Sequence, residues 1–280
     1  MKMNKLTAGL LTASVSLLML AGCQKMDRPA LGDYVKDTNP PGGPLKFYAS
    51  FDGTSSDPLM NGVDSMRANF PQANPLASVA GISGKAIQGA DGKAIYYPSA
   101  NDFKSAKSFT MAFWMKNPAQ AGRTEFLFSL YDPTYSGWHY SAIFCLVENQ
   151  TATKSTMKFG LMDQWLEGDF NKPLFDGNWH HMAYVYDHTT SKMSYYFDGA
   201  LVTGMTATQT DVKKNGAPRG AVDFSAAGKF IIGGWNKHAP GTNGPGDDWI
   251  KSYTGAMDQF RLYGTALTAA EISALYTGKK

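Results

Sequence analysis

The chain has 280 residues, with 26 basic and 23 acidic side chains and a formal net charge of +3. None of its Lys and Arg residues form a run longer than two, whereas phosphate contacts need a clustered basic surface. Nucleic acid is therefore excluded as the expected partner. A domain of this length buries roughly three quarters of its extended surface, so packing alone can stabilise it.

The first 22 residues have the three parts of an export signal. Lys2 and Lys5 form a basic start, residues 6–20 are apolar, and two small residues follow. The apolar run is too short for a permanent helix across a bilayer of roughly 30 Å. The Leu-Ala-Gly-Cys motif ending at Cys23 resembles the lipobox of bacterial lipoproteins, which implies acylation of Cys23, including palmitate. An ordinary signal peptide with a chance cysteine is the alternative.

The residue after Cys23 is Gln24, and an aspartate there would resemble an inner-membrane retention signal. We therefore expect attachment to the outer membrane of the cell envelope, on either its periplasmic or its surface face. Residues 23–44 are rich in Pro and Gly and predict a flexible tether. A single domain is expected over 45–280.

With Cys23 acylated, Cys145 is the remaining cysteine, so no intramolecular disulfide is expected. It lies in the continuous apolar run 142–147, which is typical of a strand covered on both faces. This pattern predicts a buried, unreactive thiol.

Short segments rich in aromatic and β-branched residues alternate with Gly, Asn, Asp and Pro clusters from residue 45 onward. They predict an all-β, two-sheet antiparallel sandwich. In segment 109–116, Phe and Met occupy every second position, which buries one strand face. The predicted strands are 45–51, 94–97, 109–116, 125–131, 140–147, 156–161, 179–187, 192–197, 229–233 and 255–263.

Short sequence motifs predict two turns and one short C-terminal helix. Residues 187–192 form a polar hairpin turn, and Asp198-Gly199 supplies the positive backbone angles of a tight one. Thr268 and Glu271 form a capping box at the start of the helix.

The order of several stretches is similar to laminin-G-like domains of the concanavalin A-like lectin/glucanase superfamily, in the branch common in lipoproteins of Bacteroidetes-type bacteria. This resemblance implies a jelly-roll fold. The stretches that carry it are 50–53, 84–87, 109–116, 177–187, 196–199, 232–234, 255–263 and 266–272.

The superfamily includes glucanases, which raises the question of a catalytic carboxylate pair. Laminarinase-type members carry two glutamates with an aspartate between them at alternating positions of one strand. The nearest match here is Glu167, Asp169 and then Asn171, an amide at the third position. Since the second carboxylate is missing and the segment resembles a loop, we expect no catalytic residue.

Aromatic residues in predicted loops favour carbohydrate binding, because aromatic faces stack on sugar rings while Asp and Asn bond the hydroxyls. The alternative is that each aromatic ring simply covers an end of the sandwich. The candidate ligand-binding residues are Trp138, Trp165, Trp235, Asn236, Asp248 and Trp249.

The sequence gives weaker signals for metal sites than for carbohydrate binding. His180 and His181 are adjacent in a strand and point to opposite faces, so they cannot share one ion by themselves. The resemblance implies a structural calcium near the first and last strands, with Asp52 and Asp258 as donors. A contact of each aspartate with backbone or Arg is the alternative.

The function expected from the sequence is that of a non-catalytic lipoprotein that binds polysaccharide at the outer membrane for a partner transporter or hydrolase. One alternative is an adhesion or assembly module that binds protein. A second is a divergent glycoside hydrolase or polysaccharide lyase.

Overall fold

Two mainly antiparallel sheets pack face to face, as the alternating pattern predicts. The computed structural model describes residues 42–52, 59–63, 68, 76–135 and 139–279. The strands in this part of the chain are β1 Leu45–Ala49, β2 Ala77–Ala80, β3 Lys85–Gln88, β4 Ile95–Tyr97, β5 Phe109–Lys116, β6 Thr124–Tyr131, β7 Ser141–Glu148, β8 Ser155–Leu161, β9 Gln164–Phe170, β10 His180–Asp187, β11 Lys192–Phe197, β12 Ala200–Leu201, β13 Lys213–Lys214, β14 Ala217–Pro218, β15 Phe230–Ile232, β16 Ile250–Ser252 and β17 Ala256–Tyr263.

The sheet order explains how distant segments meet. The first sheet runs β12-β11-β10-β5-β17-β3-β2, with β1 also paired to β17. The second runs β4-β15-β6-β7-β8-β9, and β16 adds to β6 in parallel. Strands β13 and β14 form a separate small hairpin. This arrangement is the all-β sandwich expected from the sequence.

The inner faces of the two sheets form one hydrophobic core. Phe109, Met111, Phe113 and Met115 all lie in it, which confirms the period of two in β5. Phe113 stacks on Phe260 of β17 with ring centroids 5.1 Å apart. The core therefore follows directly from the alternating residues.

Cys145 lies on the same inner face and is fully buried. Burial raises the pKa of its thiol to about 12, and a protonated thiol is a poor nucleophile. The predicted burial of this cysteine is confirmed.

The two predicted turns and the helix are also confirmed. Asp198 and Gly199 have φ values of 50° and 76° between β11 and β12. The C-terminal helix Ala269–Thr277 begins with the capping box of Thr268 and Glu271. A second short helix, Ala207–Thr210, was not expected.

Strands β2 and β9 and several shorter strands differ from the sequence-based expectation. Segment 164–170, expected to be a loop, is strand β9, because its backbone pairs along its whole length with β8. Strands β2 and β3 form an additional hairpin beside β17. No helix in the described part of the chain is long and apolar enough to cross a membrane.

The adjacent histidines point to opposite faces, as predicted. His180 packs on the Phe197 ring at 4.7 Å and bonds Asp198 and Asp176 through its two ring nitrogens, at 2.9 and 3.0 Å. His181 is fully buried beside Trp114, beneath the end of the C-terminal helix. Burial lowers the pKa of His181 to about 3, so this imidazole is neutral.

Protonation of His180 should stabilise the fold. Burial lowers its pKa, but the hydrogen bonds to Asp198 and Asp176 together outweigh burial and raise the pKa above 6.5. A raised pKa in the folded state means that the stabilisation is complete below about pH 6.5 and is lost as the pH rises through the folded-state value. Relative to His180→Gln, the wild type should lose on the order of 1 kcal/mol of unfolding free energy from pH 6 to pH 9. Urea titrations across that pH range measure the difference in unfolding free energy between the two proteins. A difference that does not change with pH would contradict a stabilising role for protonated His180.

Candidate functional site

The outer face of the second sheet carries a continuous aromatic cluster, which we call the tryptophan face. Its members are Phe126 of β6, Phe144 of β7, Trp165 of β9, Trp235 after β15 and Trp249 before β16. The structure therefore brings together three candidate tryptophans that lie far apart in the sequence.

Ring contacts connect the members one after another. Trp165 packs edge-on against Phe144 with centroids 4.9 Å apart. Trp235 stacks on Phe126 at 4.7 Å and lies 6.1 Å from Phe144. Trp249 lies 6.2 Å from Phe126. Aromatic pairs at these separations stabilise one another beyond their buried area, so the cluster is fixed in place.

Exposure divides the three tryptophans into two kinds. Trp165 and Trp249 are 38% and 45% exposed, whereas Trp235 is 0% exposed. The expectation of an open Trp235 ring is therefore corrected, because Phe126, Phe144 and Ile250 enclose it in a small outer core. Trp235 supports the face, and Trp165 and Trp249 present ring surface to solvent.

Asn236 is also fully buried and acts within the protein. Its Nδ2 donates to the carbonyl oxygens of His139 and Tyr140 at 3.0 and 2.9 Å, and its Oδ1 accepts from Ser129. These bonds satisfy the amide internally. Asn236 therefore positions the loop before β7 and is not available to contact a ligand directly.

A glycine makes the close packing under Trp165 possible. Gly160 of β8 pairs with Phe144 on one side and with Trp165 on the other. A Cβ at Gly160 would meet the Phe144 ring at 2.0 Å. The absence of a side chain there lets Phe144 lie across β8 and support Trp165.

A charged row lies beside the aromatic cluster on the same sheet face. Lys158 of β8 bonds Glu148 of β7 at 2.8 Å and lies 3.7 Å from Glu167 of β9. Asp169 is two residues beyond Glu167 on the same side of β9. Stacking surface and hydrogen-bonding groups thus stand next to each other.

The strand geometry of β9 bears on catalysis. Glu167 and Asp169 alternate along one strand face, so the expected loop was wrong, whereas the amide of Asn171 at the third position remains. Glu167 is half-exposed and lies 3.7 Å from Lys158. Asn171, an amide, follows β9 at the third position of the pattern, so the second glutamate of the laminarinase arrangement is missing from this segment.

Of the three remaining predicted residues, the structure describes only Asp248. Asp248 is exposed, immediately before Trp249. Trp138 and Cys23 lie outside the described residues.

The two proposed calcium ligands both contact the turn between β2 and β3. Asp52 Oδ1 accepts from the Lys85 amide at 2.7 Å, and Asp258 Oδ2 accepts from the Ile82 amide at 2.9 Å. Burial raises the pKa of Asp258 to about 7. Its Oδ1 is buried without a hydrogen-bond partner in the described part of the chain. The same part holds no group of three or more His, Cys, Asp or Glu side chains suited to a metal.

A model of the concanavalin A-like lectin/glucanases superfamily, in its laminin-G form, matches residues 89–273. The chain therefore belongs to this superfamily. No curated protein matches the chain significantly.

Solved structures show the same fold at low identity. Domain 4 of AbnA, an extracellular arabinanase of Geobacillus stearothermophilus solved with arabinotriose, is 19% identical with a TM-score of 0.54, over 83% of this chain and 98% of that one. The receptor binding domain of botulinum neurotoxin C/D mosaic serotype is 12% identical with a TM-score of 0.55. That match covers 84% of this chain, which spans about half the length of the toxin structure.

Sequence reasoning missed the supporting residues of the face, Phe126, Phe144, Glu148 and Lys158. A signal was present for Phe144, because run 142–147 is apolar at every position and so requires cover on both sheet faces. The identity of that cover, Trp235, depends on pairing between distant segments.

Proposed function

We propose that the protein is a non-catalytic carbohydrate-binding lipoprotein and that the tryptophan face is its binding site. The observation that carries this proposal is the pair of part-exposed rings, Trp165 and Trp249, held at the two ends of one aromatic cluster. Sugar rings stack on such surfaces through their apolar faces.

The adjacent charged row supports a sugar ligand over a purely apolar one. Carboxylates of Glu167 and Asp169 accept hydrogen bonds from hydroxyl groups, and the Lys158 ammonium donates them. The complex of the arabinanase domain with arabinotriose, a protein of the same fold, adds support. Since Glu167 is paired and half-exposed, binding without cleavage fits the face better than hydrolysis.

Replacement of the exposed rings should weaken binding. We expect Trp165→Ala and Trp249→Ala each to lower affinity for a responsive polysaccharide at least about tenfold, because each removes a stacking platform. A glycan array with the folded domain identifies the polysaccharide, and titration calorimetry measures the change.

Leu201→Ala is the matched control, since Leu201 is 52% exposed on β12 of the other sheet. Unchanged affinity in both tryptophan variants would reject the site. Capture of an outer-membrane protein without any array signal would favour the adhesion alternative, and release of reducing ends would favour a hydrolase.

The lipobox-like motif supports a membrane anchor at Cys23, with the outer membrane as the proposed location and a transporter or hydrolase as the proposed partner. Several acyl chains on one residue give durable attachment, at about 0.8 kcal/mol per buried CH₂.

Acylation can be tested in a Gram-negative host supplied with labelled palmitate. The full chain should incorporate label and partition with membranes, whereas Cys23→Ser should do neither. Cys145→Ser is the matched control and should behave as the wild type. Labelling of Cys23→Ser would refute the anchor assignment.

We also propose that Asp52 and Asp258 hold a structural calcium ion. The Asp258 Oδ1 atom has no partner among the described residues, and carboxylate and carbonyl oxygens crowd two glycines of the β2–β3 turn. A Cβ on Gly81 would meet Asp258 Oδ2 and the Ser83 carbonyl, and one on Gly84 would meet Asp52 Oδ1. These hard oxygen donors fit calcium. The ion would neutralise two nearby carboxylates and tie the turn to β17.

Calcium should therefore stabilise the fold. At about 100 times the dissociation constant we expect the wild-type Tm to rise by roughly 5 °C or more, and Asp258→Asn to remove that rise. Asp102→Asn, at a surface ion pair with Lys46, is the control and should retain it. Thermal melts with calcium and with chelator measure both, and an unchanged wild-type Tm at millimolar calcium would refute the site.

A further inference from the structure

A second recess lies at one end of the second sheet, outside the tryptophan face. We call it the polar cleft. It has a volume of about 310 Å³ and is formed by the segment after β6, the β8–β9 turn, the β13–β14 hairpin and the segment before β15. Its principal side chains are Asp132, Tyr135, Asp163, Lys214, Arg219 and Asp223.

A buried guanidinium forms part of the cleft. The Arg219 side chain is only 4% exposed and pairs with the Asp163 carboxylate. Its Nη2 also donates to the Lys213 carbonyl oxygen at 3.0 Å. Its Nε is buried and has no hydrogen-bond partner in the described part of the chain. Buried donors are nearly always satisfied in folded proteins, so Arg219 keeps an unused donor at the wall of the cleft.

Charged groups of both signs act on the phenol of Tyr135 in the cleft. Burial raises the pKa of Tyr135, the charges of Asp132 and Asp223 act in the same direction, and Arg219 opposes them. Asp132 is itself almost fully buried and accepts from the Thr134 amide and hydroxyl through Oδ1. Tyr135 therefore shares the cleft with both acidic and basic side chains.

The composition of the cleft selects a class of ligand. Its three carboxylates exceed its two basic side chains, which disfavours a polyanion. A ligand that both donates and accepts at several positions is required, and a sugar hydroxyl does both. The volume lies at the lower end of the range for small-molecule sites, so it suits a single ring and not a run of rings.

We propose that the polar cleft is a second carbohydrate site, which binds one neutral sugar residue such as a chain end, separately from the tryptophan face. The inference rests on the proposed carbohydrate-binding function. It predicts that short oligosaccharides depend on the cleft, whereas long polysaccharides depend mainly on Trp165 and Trp249.

The test compares two cleft variants with wild-type protein. Tyr135→Phe removes one hydroxyl, and Asp223→Asn removes one charge. Each should lower affinity for a neutral trisaccharide about tenfold, with less than a twofold change for the parent polysaccharide. Arabinotriose and arabinan are the first probe pair, followed by trimers and polymers of other neutral sugars, measured by calorimetry.

Asp187→Asn is the matched control. Asp187 accepts from the amide two residues ahead, at Thr189, just as Asp223 accepts from Ser225, but it lies outside the cleft. Thermal melts check that all variants fold.

The outcomes separate the two proposals. Loss of trisaccharide affinity in both cleft variants, with the control unchanged, supports the second site. Unchanged trisaccharide affinity overturns it, while loss of polymer binding in Trp165→Ala still upholds the tryptophan face. A wild type that binds no carbohydrate overturns both.

Discussion

The central strands of the second sheet are buried on both faces, and the tryptophan face depends on this constraint. On β7, Ile143 and Cys145 face the inner core, whereas Phe144 and Leu146 face outward. An outward Phe144 exposed to water would not contribute to burial, but Trp235, which stacks on Phe126 and lies tilted against Phe144, removes this surface from solvent. Burial of one aromatic side chain contributes on the order of 2 kcal/mol. The ring that stabilises this face thus also fixes the rings that remain exposed.

Local signals in the sequence were sufficient for most of the fold. The hairpin turns, the capping box and the alternation in β5 depend on residues within a few positions of one another. Trp235 could not be placed in the same way, since its cover comes from β6 and β7, about 100 residues earlier. Strand β9 was a different case. Trp165, Glu167 and Asp169 alternate with inward Leu166 and Phe170, so its period of two was available, although its polar content favoured a loop.

The second sheet also shows why a glucanase-like arrangement of acids need not imply cleavage. Alternation on β9 places Glu167 and Asp169 on one side, as in laminarinase-type enzymes. Lys158 then joins Glu167 to Glu148 across two strands. This ion pair lies on the exposed face of the sheet, and Asn171, an amide, follows β9 at the position where the laminarinase pattern has its second glutamate. The same groups remain suitable for binding hydroxyls.

The two proposed carbohydrate sites are linked through a short piece of backbone. Asp163 belongs to the polar cleft and Trp165 to the tryptophan face, and Gln164 lies between them. The Gln164 side chain donates to the Asp211 carbonyl oxygen at 2.8 Å and accepts from the Lys213 amide at 2.6 Å. It therefore fastens the β13–β14 hairpin, which carries one wall of the cleft, to the strand that carries Trp165. One amide side chain thus contacts the backbone on both sides of Val212, and the residue next to it in the chain carries the exposed ring of Trp165.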